Sequence, residues 1–308
     1  MLINFNVIFI GMKILQSGVP KCGNFWLYQI IQQILIRSGR SNSSFIEKQP
    51  VYSLAKDWDL NFPEQSRIDV LEITDLQLSY RISRIFQMPI DKIEQYILQT
   101  SHVWTHSPVC KRSGEVFINF DKIIYIIRDP RDRALSAAKY YCSDYMLKYF
   151  PQEERDPDKF LEKNFDKLMH EWVWHVFDYL RLNAQYKIHI LFYEKFLWEF
   201  QQELENLLRY LEISLDSGIR SSIEETVSFE KLKLKNPKHL NKGTYGYWKD
   251  KLSDEHIAKA EVIAGPLLKA LGYSSDRGQP NIKSHPSGVD FDILKQEIME
   301  TQKPLYQI

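Results

Sequence analysis

Three cysteines, Cys22, Cys110 and Cys142, are too few and too odd a number for a disulfide framework. They read as reduced thiols, which points to a cytoplasmic protein. No Cys/His spacing suggests zinc, and no other metal is expected. An excess of charge of one sign is missing too, because 40 Lys plus Arg balance 40 Asp plus Glu. Such a chain has no global positive field with which to coat DNA or RNA, so any anion site must be local. Nor is there an apolar run long enough to span a bilayer. The greasy start MLINFNVIFIGMKILQ has no basic residue ahead of its apolar run and no small-residue cleavage site, which argues against a signal peptide. Neither a membrane nor a nucleic acid is expected as a partner.

What is present is core. Hydrophobic residues make up 44% of the 308, and aromatic residues 13%, enough for a well-cored globular protein. Short apolar runs at Lys13–Ser17, His102–Trp104, Ile123–Ile127 and His189–Phe192 read as buried strands. Between them lie helical patterns. Trp26, Leu27, Ile30, Ile31, Ile34 and Leu35 recur on one helical face; DPRDRALSAAKYY restarts a helix after Pro130; DKLMHEWVWHVFDYLRL is long and amphipathic. A further helix starts at Ser253, a candidate N-cap with acidic residues just behind it. Strands alternating with helices predict an α/β fold: a single domain with a mostly parallel central sheet and helices on both faces. We find no internal repeat. The stretch SSDRGQPNIKSHPSGVD reads as a linker, dividing a domain at 1–275 from a linker and C-terminal helical extension at 276–308. The terminal helix is expected near Phe291–Glu300.

Three stretches carry candidate chemistry. In VPKCGNFWLYQIIQQ a strand, a turn with Gly23 and a helix follow in order, the geometry that aims backbone N–H groups at an anion, with Lys21 beside it. The spacing Gly18-x4-Gly23 half-matches a nucleotide-triphosphate P-loop. The Lys-Ser/Thr after the second glycine is replaced by Asn24 and Phe25, which disfavours a kinase. By itself the turn reads equally as an ordinary strand–helix junction. In KIIYIIRDPRDRALSAAKYY, Arg128 ends a strand and Ser136 lies eight residues on, so that both can reach one phosphate. A structural Arg–Asp network among Arg128, Asp129, Arg131 and Asp132 fits as well. In TSHVWTHSPVC, His106 follows a short strand at its C-terminal end, where α/β sheets place ligands.

Taken together these residues resemble the cytosolic-type sulfotransferases that use 3′-phosphoadenosine-5′-phosphosulfate (PAPS). The family's phosphosulfate loop, Pro-Lys-Ser-Gly-Thr-Thr-Trp, is similar to Pro20-Lys21-Cys22-Gly23-Asn24-Phe25-Trp26. Its Arg-(Asn/Asp)-Pro-(Lys/Arg)-Asp element with a later serine is similar to Arg128–Asp132 and Ser136, and its Lys-Thr-His-x-Pro to Trp104–Pro108. Tyr193, Ser228 and Phe229 fall where the family surrounds adenine, and NKGTYGYWKD resembles its C-terminal signature. The resemblance runs in order from about Lys13 to Tyr273. It implies a P-loop-like sulfotransferase fold, PAPS as co-substrate and PAP as product. His106, Lys21 and Ser136 are the implied catalytic residues. Cys22, Gly23, Asn24, Phe25 and Trp26 would join Lys21 around the 5′-phosphate; Arg128, Ser136, Lys242 and Gly243 would hold the 3′-phosphate. No metal is implied, because a transferring sulfuryl group bears less charge than a terminal phosphate.

The departures are Trp104 for the family's lysine, Asn24 and Phe25 for its loop threonines, Val227 for a threonine and Asn241 for its C-terminal arginine. They predict weaker donor binding, or compensation by Lys111, Arg112 or Lys238. Acceptor loops are expected at 41–65 and 140–160, whose aromatic residues and carboxylates would suit a small, polar or cationic molecule. The outline is similar to that of bacterial enzymes of natural-product tailoring, such as cyanobacterial sulfotransferases of saxitoxin-type pathways. The family's dimer signature is not met, which leaves the oligomeric state open.

Overall fold

The computed structural model describes residues 11–236, 243–274, 280–283 and 288–302. Seven strands, β1 (Ile14–Ser17), β2 (Asp69–Ile73), β3 (Leu78–Ile82), β4 (Phe86–Pro89), β5 (His102–Thr105), β6 (Lys122–Ile127) and β7 (His189–Phe192), form one sheet in the order β4-β3-β2-β5-β1-β6-β7. β1 pairs parallel with β5 and β6, β6 with β7, and β5 with β2. The four strands foreseen from apolar runs are β1, β5, β6 and β7, four of the five parallel strands, within one residue at each end. Parallel strands are buried on both faces and therefore read as unbroken apolar runs.

β2, β3 and β4 were not foreseen. β2–β3 and β3–β4 pair antiparallel, and polar Glu72, Ser79 and Arg81 interrupt their apolar residues. The Thr74–Gln77 turn closes the first hairpin: Thr74 Oγ1 donates to the Gln77 carbonyl at 2.8 Å and accepts from its amide at 3.1 Å.

Six helices bear on the site: α1 (Asn24–Arg37), α2 (Pro130–Tyr141), α3 (Pro157–Tyr186), α4 (Phe229–Lys235), α5 (Asp254–Leu271) and α6 (Phe291–Gln302). Alternate side chains of β6 enter different cores, as a pleated strand requires. Ile124 and Ile126 meet Leu27, Ile30 and Ile31 of α1 on one side of the sheet. Ile123, Tyr125 and Ile127 join the core that α3 and α5 close on the other. Ser253 caps α5, its hydroxyl accepting from the His256 amide at 3.2 Å.

The chain beyond Gly272 returns to this second core. The Asn281 amide donates to the Gly272 carbonyl at 2.8 Å, and α6 lies on α5 with Leu294 and Ile298 buried. Because Ile298 is fully buried, Ile298→Ala should lower unfolding free energy by about 2–5 kcal/mol. Urea denaturation of the full chain checks this; an unchanged midpoint would mean that α6 adds nothing to the core.

Candidate active site

The parallel register sets three strand ends side by side. Ser17 lies opposite both Thr105 and Tyr125, so the turn after β1, His106 after β5 and Arg128 after β6 leave the sheet at one edge. That edge opens on a cavity of about 810 Å³, with Lys21, His106, Arg128 and Ser136 in its wall. Ligands in open α/β sheets bind at such an edge.

The first turn is built to present amides. Its carbonyls are drawn back into the protein: Val19 O accepts from Cys22 N at 3.2 Å and from Asn24 Nδ2 at 2.9 Å. Pro20 O accepts from Arg133 Nε at 3.0 Å, and Lys21 O from Arg128 Nη1 at 3.3 Å. Gly23 sits at φ 94°, and a Cβ there would come within 2.5 Å of the Tyr193 ring, so glycine is required. The N-terminal end of α1 then faces the cavity, which Gly23, Asn24, Phe25 and Trp26 all line. Cys22 differs. Its side chain is fully buried, burial pushes its thiol up to about 12, and its amide is already committed to Val19. Asn24 uses its side chain to close the turn, and Phe25 meets Phe62 edge to face at 4.7 Å.

The Lys21 ammonium lies 4.2 Å above the Tyr140 ring. Burial, and next the nearby Arg128 charge, lower its pKa to about 8. His106 Nδ1 lies 2.6 Å from the Gly18 carbonyl. A carbonyl only accepts, so Nδ1 carries the proton and Nε2 keeps its lone pair. Burial holds the His106 pKa down to about 3, with Arg81 and Lys21 charges contributing further. From behind, His175 Nε2 donates to the His106 carbonyl at 3.2 Å.

Both readings of the Arg128 segment hold, for different residues. Arg131 chelates Asp129 at 2.9 and 2.8 Å and stacks on Trp248 at 3.7 Å, fully inside the protein. Asp132 accepts from the Gly246 and Trp248 amides at 2.6 and 2.9 Å. These residues are structural. Arg128 and Ser136 line the cavity, where Asp132 also reaches its wall. Arg128 lies 4.4 Å over the Tyr193 ring, gives Nη2 to the Thr244 carbonyl at 3.1 Å, and has a buried Nε with no partner among the described residues. Trp26, Tyr193, Phe229 and Gly243 complete this end. Trp26 is tied by Nε1 to the Val227 carbonyl at 2.8 Å, and a Cβ on Gly243 would fall 2.2 Å from Phe229. Ser228 does not line the cavity; it precedes Phe229 at the start of α4.

Lys242, Asn241 and Lys238 lie outside the described residues. Lys111 and Arg112 do not line the cavity, and the basic side chains that do so unforeseen are Arg81, Arg84, Lys139 and Lys233. The loop carboxylates that suggested a cationic acceptor are likewise absent from the lining, which draws its acids from Glu72, Asp75, Asp132 and Glu171. Among the described residues no cluster of three metal-ligating side chains occurs, and no helix is long and apolar enough to cross a membrane.

The family model described as "Sulfotransferase domain" matches residues 12–272. The chain belongs to the sulfotransferase family. As a PAPS-dependent sulfotransferase it is 24% identical over 281 residues to Sulfotransferase 1 family member D1 of Mus musculus, covering 85% of this chain and 84% of the mouse protein. Sulfotransferase 1A1 of Mus musculus is 25% identical over 275 residues, covering 80% and 83%. In fold it is similar to the mouse sulfotransferase SULT7A1 complexed with PAP, at TM-score 0.58 and 18% identity, over 94% of this chain and 89% of that one. It is also similar to retinol dehydratase in complex with androsterone and inactive cofactor PAP, at TM-score 0.56 and 17% identity, over 83% and 80%.

The sulfotransferase should feel the loss of its Asp132 anchor before any change in chemistry. Asp132→Ala leaves two backbone N–H groups unpaired, each costing about 1–3 kcal/mol. Denaturant unfolding should show a fall of that order; a stability within experimental error of the parent would show that the Gly246–Trp248 segment is held otherwise.

Proposed function

We propose that the protein moves a sulfuryl group from PAPS to a hydroxyl or to an amine- or guanidinium-type nitrogen of a small molecule. The convergence of Lys21, His106 and Arg128 on one cavity at the sheet edge carries this reading. The residues present fit the donor: Arg128 Nε is a buried donor without a partner among the described residues, and a buried orphan is what a missing anion leaves behind. PAPS, when bound, supplies the sulfuryl group and a phosphate as leaving group.

Each residue then has a task. Lys21 places an ammonium where charge develops on the leaving oxygen, a contribution realised in the transition state. His106 Nε2 takes the acceptor's proton as the acceptor atom attacks sulfur; such a base is worth about 10²–10⁴ in rate. Arg128 and Ser136 hold the 3′-phosphate, with the Lys242-Gly243 segment expected beside them, and Trp26, Phe229 and Tyr193 surround adenine. Ser228 would act, if at all, by placing Phe229. The three cysteines are free thiols, which supports a cytoplasmic setting. Residues 1–275 are the proposed catalytic domain and 276–308 its linker and helical extension.

The roles separate in mutants. His106→Ala should lose about 10²–10⁴ in turnover while keeping its affinity for PAP, whereas Arg128→Ala should lose PAP affinity first. Calorimetry with PAP and with ATP–magnesium tests the donor, and a preference for ATP–magnesium overturns the reading. The pH profile follows from the two pKa values. Lys21 is charged below about 8 and loses its proton as pH rises through that value, so kcat/KM should fall on the alkaline side. His106 is neutral above about 3, so no acid limb should appear between about pH 5 and 7. Initial rates from about pH 5 to about pH 9 check both limbs.

A further inference from the structure

The antiparallel end of the sheet puts an ion pair into the cavity wall. Glu72 on β2 and Arg81 on β3 are diagonal neighbours, since Val70 faces Arg81 and Glu72 faces Ser79 in the ladder. Arg81 Nε donates to Glu72 Oε1 at 2.5 Å, and Nη1 donates to the Ser83 carbonyl at 2.8 Å. The Arg81 side chain is only 13% exposed, yet both residues line the cavity, together with Phe25, Phe62 and Trp104. Arg81 Nη2 has no partner among the described residues. An apolar acceptor would be held better by an apolar wall, since burying an ion pair brings little net stability.

The balance of charge around the cavity runs one way. Of its four lining carboxylates, Glu72 is matched by Arg81, Asp132 by two backbone amides, and Glu171 by Arg133 at 2.5 Å. Asp75 is exposed at the rim and accepts from the Lys111 amide at 2.9 Å. Two exposed lining cations, Arg84 and Lys139, rest against the Phe150 and Tyr247 rings and have no ion pair among the described residues. Arg81 is also near enough for its charge to act on both His106 and Tyr140, so a group it holds lies close to the reacting atom.

We propose that Arg81, assisted by Arg84 at the rim, selects an acceptor that carries a carboxylate beside an apolar body, as a hydroxy acid does. This rests on the sulfotransferase reading and deepens it. The carboxylate meets the free edge of the Arg81 guanidinium while the apolar body lies against Phe25, Phe62 and Trp104. The acceptor O–H proton passes to His106 Nε2 and its oxygen bonds to sulfur. The S–O bond to the donor phosphate breaks, and that phosphate leaves with the electron pair facing Lys21.

Calorimetry on the full chain loaded with PAP tests it, using matched sets on two scaffolds. These are 4-hydroxyphenylacetate, its primary amide and tyramine, and 6-hydroxy-2-naphthoate with its primary amide. On at least one scaffold the acid should bind about 10-fold or more tightly than the amide, the range of one charge-assisted contact. Arg81→Gln alone strands Glu72, so the double variant Glu72→Gln/Arg81→Gln is used; it should abolish the preference and leave PAP affinity unchanged. Arg84→Gln, which breaks no ion pair, should reduce the preference a few-fold. If PAP binds but no acid exceeds its amide on either scaffold, or tyramine binds as well as the acid, the inference fails alone. If PAP does not bind, the donor reading fails and takes the inference with it.

Discussion

One helix sets the distance between His106 and Arg128. Trp172, His175 and Tyr179 share a face of α3 at spacings of three and four, and each donates to a backbone carbonyl at the sheet edge. Trp172 Nε1 reaches Arg128 O at 2.9 Å, His175 Nε2 reaches His106 O at 3.2 Å, and Tyr179 Oη reaches Ser107 O at 3.1 Å. Tyr125 Oη lies 2.7 Å from His175 Nδ1. With burial holding His175 neutral, its pKa lowered to about 4, Tyr125 donates to Nδ1 and leaves the proton on Nε2. Loops otherwise free to drift are thus pinned to a single rod, and reacting groups must be placed to a fraction of an ångström.

The same economy governs the charges. Asp129, Arg131, Asp132 and Arg133 follow Arg128 directly, and every one is buried. Their partners are inside the protein, so they fix the path of the chain and leave Arg128 open. Arg133 reaches the Pro20 carbonyl at 3.0 Å and the Leu168 carbonyl at 2.8 Å, tying the first turn to α3. A structural network and a ligand-facing cation therefore share six residues without conflict, because helical geometry after Pro130 turns neighbouring side chains in different directions.

How much of this was legible in the sequence depends on which physics wrote it. β1, β5, β6 and β7 are buried along nearly their whole length because both faces are covered, and their boundaries came out to within a residue. Lys21, His106, Arg128 and Ser136 stand at strand ends or one helical turn beyond, where local order in sequence survives into space. The hairpin at 69–89 was missed because Glu72, Ser79 and Arg81 break its apolar pattern. Of those same polar residues, Glu72 and Arg81 line the cavity. The loops at 41–65 and 140–160 do reach the cavity, since Phe62, Gln65, Tyr140 and Met146 line it. Their carboxylates were misjudged, because composition does not tell which side of a loop an acid takes. His175 was invisible: a histidine in an amphipathic helix carries no mark of what it touches across the sheet.

Lys21 has φ 74°, in the left-handed region that side chains with a Cβ avoid, at a cost of roughly 1–2 kcal/mol. The lysine is kept in a posture its own backbone resists. Random drift toward glycine or asparagine at this position would relax the loop and make the molecule sturdier, while removing its one cation above Tyr140. Selection for durability and selection for a cation in the cavity wall pull against each other at this residue.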